Sequence, residues 1–351
     1  MRDGRFGWGI VGCGVIAPWH RRPVERCAEA QVVAVCDIDE EKGRKFAAES
    51  GEGVAFYKDY NDLMGDKNVD IISVCTPSGA HAEVAIAAAQ AGKHVLCEKP
   101  IEVTREKMDA MIRACRDHKV RLGGVFQRRT YDSSKSVRAA VQNGELGKMV
   151  LGDAFMKYYR SQSYYSSAGW RGTWELDGGG ALMNQGVHGI DLLLWIMGDV
   201  ESVYARADHL VRDIPVEDTA IAMLKYKNGA WGVLEGTTST NPGEPTRLEL
   251  HGKLGTIILE EQKITRWAST TGDDDLAEAK GLEEPRGEAR SAVSDPTAIG
   301  MEGHIALVND MVQAVKEDRD PMIPGESARR AVELILAIYE SARTGREAKV
   351  A

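Results

Sequence analysis

Gly12 and Gly14 stand two apart in the run Gly9-Ile10-Val11-Gly12-Cys13-Gly14-Val15-Ile16-Ala17, between a short apolar run and a stretch able to be helical. That spacing suits the approach of a backbone to a pyrophosphate. Gly12 permits the tight turn, Gly14 removes a side chain from the anion's path, and Ala17 lets the helix pack closely on the strand. Cys13, Val15 and Ile16 complete the cradle, and the helix N-terminus adds N–H groups and partial positive charge. Asp37 ends the next apolar run, near the spacing of an acid that accepts hydrogen bonds from a ribose diol. Such a carboxylate repels a 2′-phosphate, and no arginine immediately follows it, so NAD is expected in preference to NADP. Capping a turn is the plainer role for Asp37. A methyl-donor enzyme also uses a glycine turn and a ribose acid, so this signature does not choose the chemistry.

The elements that must carry these residues follow from the patterning. Short apolar runs near Phe6–Gly12, Gln31–Asp37, Val69–Pro77, Lys93–Pro100 and Val120–Phe126 alternate with stretches of 3.6-residue periodicity. That alternation predicts a doubly wound parallel sheet, an α/β Rossmann domain over residues 1–124. The rhythm then changes to an aromatic-rich loop near Tyr158–Trp174, one strong helix near Ala181–Met197, and runs that read as antiparallel strands. Residues 125–351 are therefore expected to form an α+β substrate-binding and oligomerisation domain with an open, mostly antiparallel sheet. Its closing helix has the option of packing back on the first domain. Gly272–Asp295 is acidic and dotted with glycine and proline, and reads as a loop.

At 351 residues the chain has room for about two domains of roughly 150 residues each. Its 43% hydrophobic and 28% charged residues are ordinary for a folded protein. With 53 acidic against 44 basic residues the net charge is −9, which disfavours nucleic acid and anionic membranes as partners. No apolar run approaches the roughly 18 residues of a membrane span, and the start does not read as a secretory leader. The six cysteines lie in the first third without paired spacing, so they read as free, buried thiols of a cytoplasmic protein, and no metal site is expected.

Cys75-Thr76-Pro77 with His81, then Glu98-Lys99-Pro100 at the next strand end, resembles the Gfo/Idh/MocA family, the glucose-fructose oxidoreductase and inositol dehydrogenase group. The likeness continues through Gly169–Trp195 and the closing Ala337–Arg346. It implies a Rossmann domain followed by an open-sheet domain that supports homodimers or homotetramers, and a small sugar or polyol as substrate. It also implies that Glu98 and Lys99 stand at the nicotinamide and that Thr76, Pro77 and His81 line the cofactor. Trp170 and Arg171 resemble residues that close over it. Asn184 and His188 match the second motif's acid and histidine, with asparagine here where many members have aspartate. A neutral amide orients an imidazole but does not raise its basicity as a carboxylate would. On one helix, positions 184, 188 and 191 share a face, so Asn184, His188 and Asp191 are expected to point the same way, Asp191 in a supporting or structural role.

Oxidation of a secondary alcohol needs a base for the hydroxyl proton as hydride leaves carbon. His188, with a reference pKa of ~6.5, is the natural acceptor, and Lys99 places positive charge beside the developing alkoxide. The reverse assignment, with Lys99 as proton shuttle, is also chemically sound. His304 and Tyr339 on the closing helices are further substrate candidates, more simply read as packing. Two other functions share these features: a hydrolase or lyase that recycles a bound NAD, and a regulator that binds NAD without turnover.

Overall fold

The computed structural model describes residues 4–272, 278–279 and 300–351. The chain divides into two compact units, Met1–Gln127 with Met301–Arg329, and Arg128–Gly300 with Arg330–Ala351.

In the first unit β1 (Phe6–Val11), β2 (Ala30–Cys36), β3 (Ala55–Tyr57), β4 (Ile71–Val74), β5 (His94–Cys97) and β6 (Leu122–Gly124) form a parallel sheet. Helices α1 (Pro18–Arg26), α2 (Glu40–Ser50), α3 (Tyr60–Met64), α4 (His81–Gln90) and α5 (Arg105–Asp117) lie between the strands in sequence. The order β3-β2-β1-β4-β5-β6 reverses at β1, and this switch point puts the turns after β1 and β4 side by side. Every residue of β1 and β4 is buried, as expected for central strands covered on both faces. Helix starts are set locally: Asp39 accepts the Lys42 N–H ahead of α2, and Thr104 accepts the Lys107 N–H ahead of α5. β3 spans only three residues, too short for a pattern to single out.

The second unit contains α6 (Asp132–Gln142), β7 (Met149–Lys157), α7 (Gln162–Ser166), α8 (Val187–Met197), β8 (Val200–Asp208), β9 (Thr219–Tyr226), β10 (Trp231–Thr237), β11 (Arg247–Gly252), β12 (Gly255–Glu260), β13 (Lys263–Ser269) and β14 (Glu278–Ala279). The remaining elements are α9 (Glu302–Lys316), α10 (Gly325–Thr344) and β15 (Ala348–Lys349). Among the described residues the large sheet runs β14-β13-β12-β11-β7-β10-β9-β8-β15, antiparallel except for the β7–β10 pair. β9 alternates buried and open positions, and the turn Lys227-Asn228-Gly229 joins it to β10, with Gly229 at φ +88°. α9 belongs to the first unit, and the division between units falls within α10. Of the acidic stretch Gly272–Asp295, only Gly272 and the two residues of β14 are among those described.

The single helix expected near Ala181–Met197 is two pieces, a π-helical turn at Ala181–Gly186 followed by α8. The wider winding accompanies a contact from outside the segment. Glu217 draws the first donors outward, accepting the N–H of Gly180 and Leu182 on its carboxylate and that of Ala181 on its backbone carbonyl. Such turns recur where a helix carries functional side chains.

Candidate active site

In the first unit the chain leaves β1 into the glycine turn. Gly12 has φ +94°, and a Cβ built there would lie 2.5 Å from the Cys75 carbonyl oxygen, so the β1 and β4 loops close together only around glycine. Asp37 holds this turn from the end of β2: its Oδ2 accepts the Cys13 N–H at 2.8 Å, and its Oδ1 accepts the Asp39 N–H at 2.9 Å. A carboxylate has about four lone-pair sites, so acceptor capacity remains for hydroxyls. At Gly14 a Cβ would meet nothing within 4 Å. Among the described residues, the N–H groups of Gly14, Val15 and Ile16 donate to no acceptor, and the buried Thr76 hydroxyl also has no partner. Unused donors just ahead of α1, with room at Gly14 and an anchored acid beside them, fit a dinucleotide. All six cysteines are buried free thiols, and burial pushes the Cys13 thiol up to about 12, so the one in the turn stays neutral.

Behind this turn lies a buried polar chain that sequence reading does not anticipate. Trp8 Nε1 donates to Ser73 Oγ at 2.8 Å, Ser73 Oγ meets His20 Nδ1 at 2.8 Å, and His20 Nε2 meets Glu98 Oε1 at 3.0 Å. An ionised carboxylate only accepts, so His20 carries a proton on Nε2, toward Glu98. Glu98 Oε2 accepts the backbone N–H of Lys99 at 3.0 Å. His304 Nε2 approaches Glu98 Oε1 at 3.7 Å, and its ring meets that of His20 edge-on. Burial raises the Glu98 carboxyl, but the two imidazoles outweigh it and hold the group well below the usual carboxylate range. The ligand atoms of His20, Glu98 and His304 lie within 4.8 Å of one another, a grouping of the kind that can hold a metal ion. His20's nitrogens are already engaged by Ser73 and Glu98. Glu98 and His304 are thus interior groups, while Lys99 is half-buried at the strand end. His81 is buried as well, with Nδ1 and Nε2 each 2.9 Å from the carbonyls of Pro100 and Thr76, tying together the loops after β4 and β5. Pro77 caps the short turn before α4.

In the second unit, between Ala181 and Leu194, the positions that are not buried are Asn184, Gln185 and His188. Asn184 Nδ2 donates to Asp177 Oδ1 at 2.6 Å, while Asp177 Oδ2 accepts the Gly172 N–H at 2.8 Å. A carboxylate therefore stands directly behind the amide. Gln185 Nε2 donates to Asn184 Oδ1 at 3.2 Å and to Tyr164 Oη at 2.8 Å. Asp191 does not share this surface. It is 1% exposed and pairs in two-point fashion with the buried Arg129, because α8 turns it toward the interior of the unit. Trp170 and Arg171 are half-buried, the guanidinium lying 4.8 Å from the indole ring.

Two buried acids brace this segment. A Cβ on Gly180 would stand 1.8 Å from the Glu217 carbonyl oxygen, so the strand-entry segment Val216–Asp218 presses directly on the glycine run. Glu217 accepts from Gly180, Leu182 and the Tyr339 hydroxyl, yet burial dominates and raises its carboxyl to about 7. Tyr339 is accordingly a packing and hydrogen-bonding residue of this unit. Asp177 precedes three glycines and Glu217 precedes Asp218, the residue just ahead of β9. Acids set against residues that must be buried are the signal that could have found them.

A family model described as an oxidoreductase family with an NAD-binding Rossmann fold matches residues 6–125, and the Gfo/Idh/MocA C-terminal domain matches residues 134–258. The chain belongs to the Gfo/Idh/MocA family. Accordingly the first unit is an NAD-binding Rossmann domain and the chain is an NAD-dependent oxidoreductase. The structure resembles the WlbA dehydrogenase from Bordetella pertussis, solved with NADH and UDP-GlcNAcA, at 32% identity and a TM-score of 0.86 over 99% of each chain. In sequence it is 28% identical to the myo-inositol 2-dehydrogenase of Thermotoga maritima over 97% of this chain and 98% of that one. It is also 30% identical to the oxidoreductase YrbE of Bacillus subtilis over 76% of each.

Proposed function

We propose that this oxidoreductase transfers hydride between NAD and a secondary alcohol carbon of a sugar, polyol or sugar derivative, with His188 exchanging the hydroxyl proton. The observation that carries the reading is the half-exposed trio Asn184, Gln185 and His188 on an otherwise buried segment, with Asp177 behind the amide. Asn184 takes the orienting role, and Asp177 fixes the direction of its amide. Lys99 places its ammonium beside the developing alkoxide, where a fixed positive charge favours the deprotonated oxygen. Glu98 serves this step by holding the Lys99 backbone. NAD supplies the hydride acceptor when bound. The Gly12–Ile16 turn would hold its pyrophosphate, Asp37 its ribose hydroxyls, and Thr76 with Pro77 the face beyond. Relatives acting on myo-inositol or crystallised with a nucleotide-linked sugar acid support the substrate class.

The exposed Val150, Leu151, Tyr204, Ile221, Met223 and Trp231 lie on neighbouring strands β7 to β10. We read this apolar sheet face as the surface through which the chain forms a homodimer or homotetramer, since patches of this kind mark interfaces. Light scattering should return a multiple of the 38.3 kDa chain mass.

The test of function is nicotinamide absorbance with purified protein, NAD or NADP, and a panel of sugars, polyols, sugar acids and nucleotide sugars, with product analysis alongside. Reduction of added NAD by one class is the expected result. Product without net NADH would replace this reading with redox-assisted elimination or hydrolysis.

A further inference from the structure

In the second unit a chain of amides ends on one unused oxygen. Between Ala181 and Leu194 the half-buried positions are Asn184, Gln185 and His188, and the first two lie in the π-helical turn Ala181–Gly186. Residues 184 and 185 stand four and three positions before 188, so the three share a face. Each amide takes its direction from the group behind it. Both Asp177 oxygens accept, Oδ2 from the Gly172 N–H at 2.8 Å and Oδ1 from Asn184 Nδ2 at 2.6 Å. That leaves Asn184 Oδ1 facing Gln185, whose Nε2 donates to it at 3.2 Å and to Tyr164 Oη at 2.8 Å. A reversed Gln185 amide would set two carbonyl oxygens against each other, so Oε1 is held on the other side. Tyr164 cannot swing away to relax this arrangement, because the Arg171 guanidinium donates to the same hydroxyl.

Gln185 Oε1 is withdrawn from bulk water and accepts from no donor among the described residues. Buried polar atoms are almost always paired, and a site built to bond a substrate hydroxyl has such an atom left over when the hydroxyl is missing. An amide oxygen accepts a hydrogen bond and carries no net charge, so the group that suits it is a neutral donor. On a sugar or polyol that donor is a hydroxyl. Three positions on stands His188, the residue proposed to exchange the proton of the reacting hydroxyl, so the oxygen of Gln185 lies on the same face as the proposed chemistry.

We infer that Gln185 Oε1 accepts a hydrogen bond from a second hydroxyl of the substrate, one that is not oxidised, and that Gln185 is a specificity-determining residue. This rests on the oxidoreductase reading above, and it narrows the substrate to a compound with at least two hydroxyls rather than a simple secondary alcohol. The probes are the panel compound that reduces NAD fastest and its single deoxy and single fluoro derivatives. A deoxy position neither donates nor accepts, and fluorine does not donate. In the unmodified protein, one position other than the oxidised one should lose about tenfold or more in kcat/KM on either replacement. Gln185→Met and Gln185→Leu, which remove the amide, should lose a similar factor on the parent compound, and the penalty at that position should shrink to within about threefold. Their NAD dissociation constants should match that of the unmodified protein. Tolerance at every position, or sensitivity only where fluorine restores turnover, overturns the inference with unmodified protein alone. A penalty that persists unchanged in both variants also overturns it, by reducing Gln185 to a support for Asn184 and Tyr164. Failure of the underlying reading looks different: no compound then reduces NAD.

Discussion

Glu98 in the first unit and Glu217 in the second are both buried carboxylates that position a proposed reacting residue, and they are held in opposite ways. Glu98 faces two imidazoles, which more than offset burial and keep it ionised. Glu217 receives only neutral donors, two backbone N–H groups and a phenol, and burial wins, raising it to about 7. Hydrogen-bond number is similar, so the difference lies in the donors: groups able to carry charge hold a buried carboxylate ionised where amides do not. The Lys99 loop is therefore braced by a carboxylate held ionised at neutral pH, and the Asn184–His188 segment by a group that titrates near neutrality.

The largest expected effect probes the second unit's other brace. Arg129→Ala should cost roughly 3–5 kcal/mol, because it leaves Asp191 charged and buried without its partner. Urea unfolding measures this, and a loss below about 1 kcal/mol would mean that α8 is held by packing alone. Next is pH. The folded pKa of Glu217 lies above its ordinary value of 4.5, so its contribution to stability declines as pH rises from about 4.5 through about 7, by up to about 3 kcal/mol. Glu98 has the opposite sign: its contribution is present above 4.5 and is lost as pH falls below that value. His304, whose pKa burial lowers from 6.5, adds to that acid loss. Unfolding free energies across pH for Glu217→Gln and Glu98→Gln should deviate from the unmodified protein in opposite directions, and parallel curves would erase the distinction between the two anchors. The smallest effect is at the ribose. Asp37→Ala should narrow the preference for NAD over NADP by about tenfold, read from the two dissociation constants.

Most of the architecture is legible because it depends on local patterning. Alternation shows β9, a 3.6-residue period shows α5, and the glycine turn is visible because its spacing is itself the chemistry. What stays hidden involves partners far apart in sequence: His20 and Glu98 are separated by 78 residues, Arg129 and Asp191 by 62, and Glu217 and Leu182 by 35. The face-sharing expected of Asp191 fails for the same reason, since helical phase says which residues are neighbours but not which side a distant arginine will cover. The π-helical turn likewise accompanies Glu217 reaching back, and nothing in residues 181–186 alone requires it.

The most direct test of the central claim is to measure turnover and NAD affinity together in Lys99→Ala and His188→Ala. Each variant should lose about two or more orders of magnitude in kcat while binding NAD as the unmodified protein does. Near-normal turnover in both, with NAD binding intact, would contradict the assignment of the hydroxyl chemistry to these two side chains.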